Sequence, residues 1–244
     1  MSLPEIATYD EWVAARKKLL AREKALTHAR DELAAARRRL PMVPVPKDYR
    51  FEGPDGEVGL IDLFEGRHQL IVCHFMFDPG WTEGCSSCTA GADEMAPGTL
   101  AHLHTRDTTL AYVSRAPYAT IAAYRQRRGW TFPWYSSHGS DFNYDFHVTL
   151  DSSVTPVEYN FRTAEEFIER GQRFDLEGEF PGRSSFLRDG HRVFHTYSVF
   201  ARGLETIGGS YYLLEETALG RQEDWEEPAG RAASVRDATP DFAT

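Results

Sequence analysis

Cysteine is scarce: three residues in a chain of 244, too few for a fold built on disulfides. Long apolar runs are missing as well. The longest, Leu70–Phe77, is strand-sized and contains a histidine, whereas a bilayer span needs roughly 20 residues. The N-terminus, Met1-Ser-Leu-Pro-Glu-Ile, lacks the charged-then-apolar order of a secretion signal, so the expectation is a cytoplasmic protein with no membrane partner. Positive charge is also in deficit. Twenty-seven Lys and Arg face 37 Asp and Glu, a net charge of −10, which argues against a nucleic-acid groove as the main function. No glycine-rich phosphate loop, hydrolase elbow or helical zinc-protease pair is found, and no cofactor is implied. Hydrophobic residues make up 41% of the chain, enough for a sizeable core.

Charge is unevenly spread. Residues 10–40 carry nine Lys and Arg against five Asp and Glu, a balance of +4 that leaves −14 on the remainder. This basic stretch has no Gly or Pro from Ile6 to Leu40. Thr8 followed by Glu11 has capping-box spacing, and Pro41, Pro44 and Pro46 end the helical run. Within it Trp12, Leu19, Leu26, Leu33 and Leu40 recur every seven residues. Ala15, Ala29 and Ala36 lie three residues after their neighbours, with Arg22 the exception. This is a helix-packing seam. Either the helix lies along its own domain, or it reaches a second subunit and makes a homodimer.

After the prolines the pattern becomes mixed. Residues 49–60 read as a hairpin turning at Gly53-Pro-Asp-Gly56. Leu70–Phe77 and Thr108–Ser114 read as buried strands. Cys85 to about Leu103 reads as a helix broken or bent at Pro97-Gly98, and Pro117–Arg128 as a helix closed by Gly129. Strand–helix–strand–helix order implies a parallel sheet. Arg183–Leu187 and Val193–Ser198 form a late hairpin across Asp189-Gly190. Between the halves, residues 151–181 form an insertion with a short helix over Ala164–Arg170, capped by Thr163 and Glu166. A last helix is expected over Leu204–Leu219. The organisation is thus a long helix over 1–40, an α/β domain over 41–220, and a polar tail over 221–244.

The chemical centre is Gly84-Cys85-Ser86-Ser87-Cys88, placed between a buried strand and a helix. Aligned dipoles and free amides at a helix start favour the thiolate of Cys85, and Cys88 lies one turn on, close enough to close a small disulfide. The pair reads as an attacking and a resolving thiol. A zinc knuckle would need a second ligand pair at similar spacing, and none is present; His102 and His104, two apart on a helix, diverge. Inert thiols are the remaining reading. Cys73, on the strand, reads as a packing cysteine, or as a redox partner if it faces the helix start. His74 falls on the strand's other face and reads as a core histidine. Trp81, Trp130, Phe132, Trp134, Tyr135, Phe142, Tyr144 and Phe146 read as core, or as walls of a cleft over Cys85.

Several phrases carry a resemblance. Asp55–Gly66, the apolar strand and Trp81–Cys85, with Phe132–Val148 and Arg183–Gly190, resemble the successive segments of a thioredoxin/peroxiredoxin-type domain. Gly84–Cys88, Asp107–Leu110, Val113–Pro117, Gly129–Trp134, Gly139–Phe146 and Phe194–Tyr197 resemble more closely a bacterial thioredoxin-like family, the domain of unknown function 899, over about Tyr9–Arg221. The resemblance implies a thioredoxin-like, peroxiredoxin-type mixed sheet flanked by helices, acting on a thiol or disulfide substrate, including a protein. A thioredoxin-type exchanger wants a cis-proline facing Cys85 and Cys88, and Pro181 is the candidate. A peroxidase at Cys85 wants a Thr three residues earlier, which Thr82 supplies, and an Arg, for which Arg183 is the candidate; Trp81 accompanies them. The third alternative is a binding or dimeric scaffold without catalysis.

Overall fold

The structure, a computed structural model, describes residues 6–171 and 176–204, together with 213, 214, 217, 219 and 220. The first element is α1 (Tyr9–Arg38), opened by the expected capping box. Thr8 N–H donates to the Glu11 carboxylate at 2.8 Å, and Glu11 N–H donates back to Thr8 Oγ1 at 3.4 Å. Its heptad seam does not lie on the domain. Trp12, Leu19, Leu26, Leu33 and Leu40 are each 48–58% exposed, and the buried residues are Ala34, Ala35 and Arg38, on a different face of the last turns.

The main sheet has eight strands. In chain order they are β1 (Val43–Pro44), β2 (Arg50–Gly53), β3 (Gly56–Gly59), β4 (Gln69–His74), β5 (Thr108–Ser114), β6 (Trp134–Ser136) and, at the end, β11 (Gly182–Asp189) and β12 (Arg192–Phe200). Their spatial order is β1-β12-β11-β4-β5-β6-β2-β3. β4, β5 and β6 run parallel, and β11 pairs antiparallel with β4. Every residue of β4 and β5 is buried, because both faces are covered. Ile71, Cys73, Leu110 and Tyr112 enter one core, and Leu70, Val72, Ala111 and Val113 the other. This is the alternation of a pleated strand.

Three helices pack on the first face: α2 (Ser86–Asp93), α3 (Thr99–His104) and α4 (Tyr118–Arg128). The helical stretch expected from Cys85 to Leu103 is broken before Pro97-Gly98 into two helices, because Pro97 has no N–H to continue the ladder. α4 starts after Pro117 and stops at Gly129, which takes the left-handed conformation (φ 70°). The opposite face is covered by a single 3-10 turn at Asp62–Phe64 and by α5 (Phe142–Asp145), with Phe51 of β2 in the same core.

A third small core joins Tyr159 to Val148, Leu150 and Phe200. After β7 (Thr149–Leu150) come the pair β8 (Glu158–Tyr159) and β9 (Arg162–Thr163), α6 (Ala164–Glu169) and β10 (Gly178–Glu179), which returns to β7. α6 carries the expected Thr163–Glu166 capping box. Most of the expected Leu204–Leu219 helix, and all of the 221–244 tail, lie outside the described residues.

Candidate active site

The chain leaves β4 in a loop that delivers Cys85 to the head of α2. The loop is closed at its neck, where Cys85 N–H donates to Met76 O at 3.0 Å. Inside it, Asp78 accepts from Gly80 N–H through its carboxylate at 2.8 Å, and from Trp81 N–H through its carbonyl at 3.0 Å, so an aspartate turn sets the reversal. Gly84 is required by close approach: a Cβ there would lie 2.5 Å from the Phe75 ring.

Cys85 occupies the N-cap of α2, where backbone donors are unsatisfied and the helix dipole is positive. Its carbonyl accepts from Thr89 N–H at 2.9 Å and from the Thr89 hydroxyl at 2.8 Å. That hydroxyl is also 2.8 Å from the Tyr124 oxygen, which pins α2 to α4. Both thiols are half-buried, but their environments differ. Burial pushes the Cys88 thiol up to about 12; its hydrogen bond to Cys85 and the nearby Cys73 add to this, while a backbone hydrogen bond from Met76 opposes it. Cys88 is therefore a protonated thiol at neutral pH.

Beneath α2 a row of cross-strand neighbours runs Val199–Arg183–Cys73–Tyr112–Trp134 across β12, β11, β4, β5 and β6. Directly paired residues share a face, so Arg183 and Cys73 stand on the α2 side. Pro181 immediately precedes β11, whose first residue Gly182 faces His74; it sits at the sheet end from which the Cys85 loop departs. Trp81 and Thr82 lie exposed on that loop. The sequence-derived residues thus gather at one sheet end, with Cys88 one helical turn after Cys85.

Sequence reasoning missed the charged clasp beside the loop. Arg115, just past β5, pairs with Asp78 at 3.1 Å and with Glu179 at 2.8 Å, and its guanidinium lies 5.2 Å from the Tyr144 ring centroid. Glu179 is buried and accepts from the Thr149 hydroxyl at 3.0 and 3.1 Å. Burial raises its carboxyl pKa, and Arg115 opposes the rise. Arg115 therefore joins the loop carrying Cys85 to the segment leading into Pro181. The phrase Ser114-Arg-Ala-Pro117 carried no signal of this, because Arg115's partners lie 37 and 64 residues away.

His74 is a core histidine, as expected. Its Nε2 is 2.9 Å from Ser184 Oγ, which is 2.8 Å from Ser198 Oγ, which is 2.8 Å from His195 Nε2. The aromatic residues divide between the two faces of the sheet. Phe132 and Trp134 are buried on the α2 side, Phe142 and Phe146 on the other, and Trp81 is the exposed one. Among the described residues no group of three His, Cys, Asp or Glu side chains is placed to hold a metal ion, and no helix is long and apolar enough to cross a membrane.

Strand β4, the dithiol helix α2, parallel strand β5, helix α4 and the antiparallel pair β11–β12, arranged β5-β4-β11-β12, define a thioredoxin-like α/β protein. The chain belongs to the family described as "Bacterial protein of unknown function (DUF899)", matched over residues 1–238. Among solved structures it is similar to a Cys-to-Ser mutant of peroxiredoxin Q from Xanthomonas campestris, with 14% identity, TM-score 0.40, and coverage of 62% of this chain and 79% of that one. It is also similar to peroxidoxin BcpB from Mycobacterium tuberculosis, with 14% identity, TM-score 0.39, and coverage of 71% and 90%. Comparison with curated proteins finds no match.

Proposed function

We propose that the protein is a thiol–disulfide oxidoreductase in which Cys85 attacks and Cys88 resolves. The supporting observation is the asymmetry of the pair: Cys85 stands at the N-cap of the helix, and Cys88 lies one turn in, where burial pushes its thiol pKa up. In the reducing direction, the Cys85 thiolate attacks one sulfur of a substrate disulfide. A Cys85–substrate disulfide forms, and the first substrate thiolate leaves and is protonated by solvent. Cys88 then attacks Cys85 Sγ and gives its proton to the second substrate thiol as that leaves. The substrate disulfide is reduced to two thiols, and Cys85 and Cys88 are oxidised to one disulfide. The opposite direction reverses each step. Cys88→Ser should trap a mixed disulfide at Cys85 when oxidised glutathione is supplied, whereas Cys85→Ser should trap none. Equal trapping in the two variants would reject the assignment.

The placement of Arg183 on the α2 side favours a second reading, a thiol peroxidase at Cys85. There hydrogen peroxide would oxidise Cys85 to a sulfenic acid with release of water, even in Cys88→Ser. Thr82→Val and Arg183→Ala would slow that step. Oxidation no faster than that of a free thiol, unchanged in both variants, would remove it. A scaffold without catalysis would show no reactive thiol in either assay.

A further inference from the structure

Among the described residues fourteen large hydrophobic side chains are left exposed, and ten of them lie between Ile6 and Val43. From Tyr9 to Leu33 no residue of α1 is buried. A helix in isolation draws little stability from propensity and most from packing an apolar face. The domain covers only the last turns of this one, so its seam requires a partner.

We propose that α1 pairs antiparallel with α1 of a second copy of this chain. The argument is the order of large and small residues. With a two-fold axis beside Lys24, Trp12 lies opposite Ala36 of the second copy, Leu19 opposite Ala29, and Leu33 opposite Ala15. Leu26 meets Arg22, whose aliphatic stem covers it while the guanidinium reaches water. Large thus faces small in three of the four layers, the arrangement that interdigitates to native density. The midpoint of the helix falls between Glu23 and Lys24, so this register overlaps nearly its whole length of roughly 45 Å. Along one edge Glu11 faces Arg39 of the second copy and Lys18 faces Glu32. Along the other, Glu23 meets Glu23 of the second copy between the Arg16 and Arg30 pairs. Past the helix end, the exposed Leu40 and Met42 lie where the second copy's exposed Ile6 and Tyr9 arrive.

Parallel pairing matches edge charges without the like-charge meetings of Glu23 with Glu23 and Arg16 with Arg30, setting Glu11 with Arg16 and Lys18 with Glu23. However, it stacks Arg22 on Arg22 and alanine on alanine in three layers. Exposed ion pairs contribute little, so seam packing decides the direction.

The full chain should scatter light as a dimer at tens of micromolar. Leu19→Asp combined with Leu26→Asp should make it monomeric with an unchanged circular dichroism signature of the sheet domain. A monomeric full chain, or a dimer that survives the double substitution, would overturn the proposal. Direction is read by photocrosslinking: Leu19→p-benzoylphenylalanine should link to the tryptic peptide Ala25–Arg30 of the second copy. A link to the peptide around residue 19 would overturn the antiparallel pairing.

Discussion

Arg115 and Asp78 form an ion pair at 3.1 Å across the base of the loop that carries Cys85, and the same guanidinium holds the buried Glu179 at 2.8 Å. Removing one partner of a buried pair strands the other charge, at about 3–5 kcal/mol. Arg115→Ala should therefore lower urea stability by about 3 kcal/mol and slow alkylation of Cys85 as the loop loosens. Adding Glu179→Gln should recover part of the stability, since no carboxylate is then left buried and unpaired. A single-variant loss below about 0.5 kcal/mol, within the range of ordinary surface substitutions, would show the clasp to be incidental.

Gly84 tests the close approach. Gly84→Ala places a methyl group 2.5 Å from the Phe75 ring, and the ring is wedged against Trp134 with centroids 4.7 Å apart. Overpacking of this kind typically costs about 1–3 kcal/mol. Thermal unfolding should show that loss. A variant as stable as the parent would mean the ring yields freely.

The buried histidines set an acid limit. His74 has a folded-state pKa of about 3 against an ordinary 6.5, because burial disfavours its charged form, with His195 and Arg183 nearby adding to this; burial lowers His195 as well. Between those two values the unfolded chain binds a proton that folded His74 does not, so stability falls as pH falls through this window. Each pH unit removes about 1.4 kcal/mol per histidine. His74→Asn should flatten the acid limb of urea stability measured from pH 6.5 to 4.5 relative to the parent. An identical slope in the variant would contradict the buried neutral assignment.

The central strands, the hairpins, both capping boxes and the dithiol helix start were legible because each is a local pattern: apolar runs, turn residues, fixed spacings. What was not legible depended on distant partners. The β4–β11 register that brings Arg183 beside Cys73 links residues 110 apart. Ser184 and Ser198 fall within the expected hairpin strands, but their burial in a line of side-chain hydrogen bonds joins strands 14 residues apart and leaves no local pattern. The short strands β1 and β7–β10 have too few residues to show a period of two. The heptad seam was visible, but not that the helix docks through Ala34, Ala35 and Arg38 and leaves the seam bare, because alanine-rich faces carry no pattern of their own.

The account rests on Cys85 and Cys88 acting as one redox couple, with Cys85 the reactive partner. The most direct measurement is equilibration of the full chain in glutathione buffers of graded potential, followed by acid quench, alkylation of remaining thiols and peptide mass analysis. The expected result is a single two-electron transition in which Cys85 and Cys88 become linked while Cys73 stays alkylatable after unfolding. Both thiols remaining alkylatable at every potential, or a disulfide that pairs Cys73 in place of Cys85, would contradict it.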